Sequence, residues 1–146
     1  EQNDYYYHIY FNDDKEERKR YYLSYDDKII KIEIDFQVRT YEKLFYSCYS
    51  IKSIHFLNMK HNLIKNMSFM FYKCTSLIKL DLTNFNTSKV IDMSSMFRGC
   101  YFLKELDISN FKISRETNIN CMFKGCSKDF IEKMKYLNKN LREEAF

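Results

Sequence analysis

Proline and tryptophan are absent from this chain of 146 residues, and glycine occurs only twice. Turns therefore have to be made without their usual residues, and the twelve asparagines, which tolerate left-handed backbone angles, are the natural substitutes. No apolar run approaches the roughly 18–20 residues that cross a bilayer, so membrane insertion is not expected. The chain does not begin with Met, and no basic segment followed by an apolar one opens it. It reads as a trimmed polypeptide, a mature chain or a fragment, and its address is not written at its start. There is no Gly-rich phosphate loop, no Ser-His-Asp order and no paired metal-ligand motif. His8, His55 and His61 share no spacing with one another or with a nucleophile. The net charge of +4 is carried mostly by single lysines rather than clustered arginines, which argues against a nucleic-acid surface. Catalysis, a bound cofactor and a metal are accordingly not expected.

What is present is a period. Cys48, Cys74, Cys100 and Cys126 follow one another at intervals of 26 residues. Each is preceded by the same pair at the same distance: Leu44-Phe45, Met70-Phe71, Met96-Phe97 and Met122-Phe123. Each of the first three is followed by apolar residues in step: Ile51, Leu77 and Leu103, then Ile54, Leu80 and Leu106, then Phe56, Leu82 and Ile108. Met67, Met70, Phe71 and Cys74 fall at i, i+3, i+4 and i+7, the spacing of one face of a short helix. Thr40, Asn66, Asp92 and Asn118 stand where a helix N-cap would. Leu80–Thr83 and Leu106–Ser109 alternate as strands do. One strand and one short helix cannot bury both apolar faces alone, whereas stacked units can.

The ends differ from the repeats. Ile30, Ile32, Ile34 and Phe36 alternate with Lys31, Glu33 and Asp35, and Tyr5–Phe11 and Tyr21–Tyr25 flank the charged run Asn12–Arg20, which suggests a small β cap. Phe130, Ile131, Met134, Leu137 and Leu141 mark an amphipathic helix running to about Arg142. The chain thus divides into 1–38 as N-terminal β cap, 39–126 as repeats and 127–146 as C-terminal capping helix. The fold expected is α/β: a right-handed solenoid with a short parallel sheet, capped so that neither end exposes an apolar cross-section.

The repeat resembles the leucine-rich-repeat superfamily in its BspA-like (Treponema-type) branch. It is most similar to the variant of mycoplasma and protist surface proteins whose units read roughly MF-x-x-C-x-x-L-x-x-L-D-L-x-x-F-x-T-S. Asn66–Cys126 carries the resemblance best, and Thr40–Phe56 less closely. Phe85 and Phe111, with Met59 in the first repeat, stand where the better-known pattern has its ladder asparagine, so asparagine-ladder hydrogen bonding is not expected here. The resemblance implies surface attachment or host interaction, hence a cell-surface or secreted location, with a cytoplasmic one as the alternative.

The cysteine column would place α-carbons about 5 Å apart, within disulfide range. A row of buried, unbridged small side chains explains it better, since free Cys is among the most buried residue types. Cys121 occupies the position of Lys43, Phe69 and Ser95, off the inward stripe. The early tyrosines fit a contact surface or simply strand-favouring residues. By alternation the outward strand side chains are Ser53, His55, Leu57, Lys79, Asp81, Thr83, Glu105, Asp107 and Ser109. They form a mostly polar grid suited to a protein or a glycan. His55 reads as a surface side chain rather than a base. Two roles follow: a non-catalytic binding module using that grid, or a rigid accessory subunit of a larger assembly, which five cysteines without a pairing scheme would suit in a reducing compartment. The sequons at Asn66 and Asn86 would matter only on a secretory route. The oligomeric state is not written in the sequence.

Overall fold

The structure, a computed structural model, describes residues 7–11, 15, 30–34, 38–54, 56 and 63–146. The chain divides into two compact units, Glu1–Val38 and Arg39–Phe146. In the first, β1 (Tyr7–Phe11) pairs antiparallel with β2 (Ile30–Ile34), Tyr7 opposite Ile34 and Phe11 opposite Ile30. The tyrosine segment 21–25 lies outside the described residues, as does the charged run 12–20 apart from Lys15.

In the second unit β3 (Ser53–Ile54), β4 (Lys79–Asp81) and β5 (Glu105–Asp107) form a parallel sheet in that order. Its register follows the sequence period: Ser53 lies beside Lys79 and Lys79 beside Glu105, while Leu80 lies beside Leu106. Alternation sets the faces, because Leu80 and Leu106 are buried between exposed neighbours. The strands are shorter than the sequence suggests. They end at Asp81 and Asp107, so Thr83 and Ser109 lie in the turns that follow.

The short helices expected over the Met-Phe-x-x-Cys stretches are not formed. Met67–Cys74 and its counterparts are runs of tight turns, with Phe69 and Lys73 at φ of 56° and 54°. Lys43 and Ser47, Ser95 and Gly99, and Cys121 and Gly125 repeat this pair of left-handed residues. A left-handed residue every fourth position cannot belong to an α-helix. It turns alternate amides out of their own unit instead. Met67, Phe69, Phe71 and Lys73 donate to the carbonyls of Asp92, Ser94, Met96 and Arg98 at 2.8–3.0 Å. Cys74 N–H closes a local turn on the Phe71 carbonyl. The inward stripe survives, because consecutive tight turns return to one side every three or four residues, and Met67, Met70, Phe71 and Cys74 are all buried.

Thr40, Asn66, Asp92 and Asn118 are therefore not helix caps. They form a second line of parallel bridges, each joined to the next. Their side-chain oxygens do accept an amide, that of the residue two further on: Glu42, Ser68, Ser94 and Asn120 respectively.

The core is built from columns that cross the units. The rings of Phe45, Phe71, Phe97, Phe123 and Phe146 follow one another at 5.4–5.8 Å, with tilts no larger than 22°. Losing one such buried ring would cost about 3–5 kcal/mol. The helix α1 (Lys128–Leu137) starts at Ser127, whose hydroxyl accepts the Phe130 amide, and it buries Phe130 and Met134. It stops at Leu137, short of Arg142, and Leu141 is half-buried outside it. The reason lies in the tail. The carbonyls of Glu144 and Ala145, in a 3-10 turn over Glu143–Ala145, accept the amides of Cys121 and Phe123 that a further unit would otherwise take. Arg142 clamps this tail by donating to the carbonyls of Ser114 and Thr117.

One corner also differs from expectation. Phe85 and Phe111 are buried there. Asn110, however, donates its amide to the carbonyls of Thr83 and Phe85 in the preceding unit, at 2.6 and 3.2 Å. An asparagine does bridge the units, one position ahead of the phenylalanine column.

Candidate functional site

The strand face is positioned by the ladder just described. Ser53, Lys79, Asp81, Glu105 and Asp107 sit on the three strands, and Thr83 and Ser109 follow β4 and β5; all seven are exposed. His55 and Leu57, assigned by alternation to the same face, lie outside the described residues. An open groove of about 540 Å³ runs over β4 and β5, between Lys79, Asp81, Glu105 and Asp107 and the helix-side residues Lys133, Leu137 and Asn138. Those three wall residues were not legible in the strand pattern. Leu137 alone carried a signal, as one of the apolar positions that mark the C-terminal helix. Lys133 reaches the Lys104 carbonyl at 3.4 Å.

The three carboxylates of this face are not a free acidic cluster. Glu105 is bridged by Lys79 on the neighbouring strand at 2.9 Å, and that ammonium holds its carboxyl below the usual range. Asp81 accepts the amide and hydroxyl of Thr83 at 2.9 and 2.6 Å. Asp107 accepts the Ser109 amide at 2.9 Å, and that bond keeps its carboxyl low. These two aspartates tie the chain as it leaves each strand, and their side chains are also exposed. Replacing them with alanine would disturb turns as well as charge.

Cys74, Cys100 and Cys126 are buried, whereas Cys48, expected to join them, is half-buried like Cys121. No cysteine is bridged. Each buried thiol donates to the carbonyl of the phenylalanine 29 residues earlier: Cys74 to Phe45 at 3.0 Å, Cys100 to Phe71 at 3.1 Å and Cys126 to Phe97 at 3.3 Å. Burial pushes the Cys74 and Cys126 thiols up to about 12 and raises Cys48 and Cys100 as well. A thiol that stays protonated is neither a nucleophile nor a metal ligand. Among the described residues no group of three or more His, Cys, Asp or Glu side chains is placed to hold a metal ion, and no helix is long and apolar enough to cross a membrane.

No curated protein and no solved structure matches this chain. A family model described as "Mycoplasma protein of unknown function, DUF285", related to BspA-like repeat proteins, matches residues 39–143, and the chain belongs to that family.

Proposed function

We propose that Arg39–Phe146 is a short leucine-rich-repeat solenoid and a non-catalytic interaction module that takes a protein partner along its strand face, at the cell surface. The observation that carries this reading is the strand face itself. Lys79, Asp81, Glu105 and Asp107 stand exposed on a backbone locked by the ladder, at the mouth of an open groove. Rigid elements that display polar side chains at fixed spacing suit recognition, because little is lost in ordering them on binding. Catalysis is the poorer reading, since Asp81 and Asp107, opposite each other on neighbouring strands, are engaged by turn amides. One observation favours the second role, a rigid accessory piece of a larger assembly: most charges of the face are satisfied internally.

The test keeps the turn acceptors and removes only the charge. The intact chain carrying Asp81→Asn, Glu105→Gln and Asp107→Asn is compared with the wild type for capture of partners from the source cell and for affinity to each one captured. A partner bound by this face should associate more slowly with the variant and show a weaker salt dependence. Unchanged affinity and unchanged salt dependence for every partner would remove the strand face as the binding surface.

A further inference from the structure

The turn segments carry a second file of side chains, distinct from the strand face, exposed at Tyr46 and Lys124 and half-buried at Tyr72 and Arg98. Ladder bonds from Ser47 to the Tyr72 carbonyl, from Lys73 to that of Arg98 and from Gly99 to that of Lys124 bring equivalent positions side by side. The file therefore reads Tyr46, Tyr72, Arg98, Lys124, and the stacked rings of the first two, 4.9 Å apart, measure its spacing. Lys73 adds a third cation: its ammonium lies 5.4 Å from the Tyr72 ring and its side chain crosses the bare backbone of Gly99. Tyr101, 54 % exposed, borders the same strip beside Gly125.

Charge is unbalanced here. Arg39–Phe146 holds 18 Lys and Arg against 10 Asp and Glu. Several acids of this unit are engaged elsewhere: Glu42 with Lys43 and Asn66, Asp92 with the Ser94 amide, Glu144 with Arg142. Among the described residues no carboxylate pairs with Lys73, Arg98 or Lys124.

We propose that this strip binds a sulfated polysaccharide. Arg98 and Lys124 stand one ladder step apart, about 4.8 Å, with Lys73 in the adjoining file, and so favour a stiff polymer with dense, permanent anions. Same-side carboxylates of an extended acidic peptide recur only every ~6.8 Å. Single-stranded nucleic acid fits less well because its bases need free aromatic faces. Here Tyr46 and Tyr72 cover each other's facing surfaces, and Phe69 and the Lys73 ammonium crowd the Tyr72 ring further. Lysine, a compact point charge, serves sulfate without requiring a bidentate geometry.

The test measures binding of the full chain to heparin, hyaluronan, neutral dextran and an oligothymidylate of matched charge, over a range of salt. Heparin should bind, and more tightly than the other three. The variant Lys73→Gln, Arg98→Gln, Lys124→Gln should lose roughly tenfold or more in heparin affinity and flatten its salt dependence. A control losing the same charge elsewhere, Lys89→Gln, Lys104→Gln, Lys112→Gln, should change little. If the strip variant melts below the wild type, the single exposed change Lys124→Glu replaces it, with loss expected in the same direction. Equal losses in strip and control variants would overturn the proposal, as would an absence of heparin binding, or hyaluronan or oligothymidylate binding as tightly as heparin. A strand-face variant leaves this result untouched, so the two surfaces are tested separately.

Discussion

Each interior cysteine ties one unit to the one before it, thiol to phenylalanine carbonyl, and this fixes how it responds to pH. An exposed thiol ionises near its ordinary value of 9.0, whereas Cys74 and Cys126 hold their protons to about 12. Between those values the unfolded chain loses protons that the folded chain keeps. Stability is then full below about pH 9 and falls as the pH climbs toward 12. Thermal melts across that range should show the fall, and the double variant Cys74→Ala, Cys126→Ala should flatten it; an unchanged slope would show that other groups drive it. Asn110 is the other residue-scale tie. Asn110→Ala leaves two carbonyls without their side-chain donor and should cost about 1–2 kcal/mol. Asn110→Asp, the same shape with a carboxylate facing those carbonyls, should cost more. Denaturant titration ranks the three proteins, and an aspartate as stable as the asparagine would mean the bridge contributes nothing. This bridge is not legible in the sequence, because an asparagine one place ahead of the phenylalanine column has the ordinary polarity of a turn residue.

At the scale of the element, the turn runs show what the sequence made legible and what it hid. Period, inward stripe and parallel strands followed from spacing alone, because burial requires the same residue to return at the same place. The same spacing, i, i+3, i+4, i+7, misled on the element, since consecutive tight turns produce it as readily as a helix does. The discriminating signal was Gly99 and Gly125. Both glycines share one place in the period with Ser47 and Lys73, and all four have positive φ. A non-glycine residue there costs about 1–2 kcal/mol. Ser47→Gly should therefore stabilise the protein, by up to about 1 kcal/mol once glycine's extra unfolded freedom is subtracted. Gly99→Ala should destabilise it, because the added Cβ would lie 3.2 Å from Lys73 Cγ at a φ of +77°. Equilibrium unfolding checks the pair, and two changes of the same sign would contradict the left-handed geometry. The strand face was partly legible for a different reason: alternation gives the outward side chains of a strand, but it cannot say that the last outward residue is engaged by the turn beyond it.

At the scale of the whole repeat unit, the alternate amides of each turn run that leave their own unit share one direction. Tyr41, Lys43, Phe45 and Ser47 donate forward to residues 66–72, and the next two junctions repeat those four donors, always from the earlier unit to the later. Peptide groups so aligned act as a macrodipole along the ladder, as in an α-helix, but with its sense reversed relative to the chain. The partial positive pole lies toward the C-terminal tail and the negative pole toward Thr40. Glu143 and Glu144 sit in the 3-10 turn at that positive pole. Glu144 is held by Arg142, so the test neutralises Glu143 alone: Glu143→Gln should lower stability by about 0.3–1 kcal/mol at low ionic strength, with the difference fading in roughly 1 M salt. Melts of the same change in a Lys135→Met background separate this from the Lys135–Glu143 ion pair, and a loss that vanished there would assign the effect to the pair. The ladder of the turn runs is thus electrically polar along its length, and an approaching ion would feel attraction or repulsion according to which end of that ladder it met.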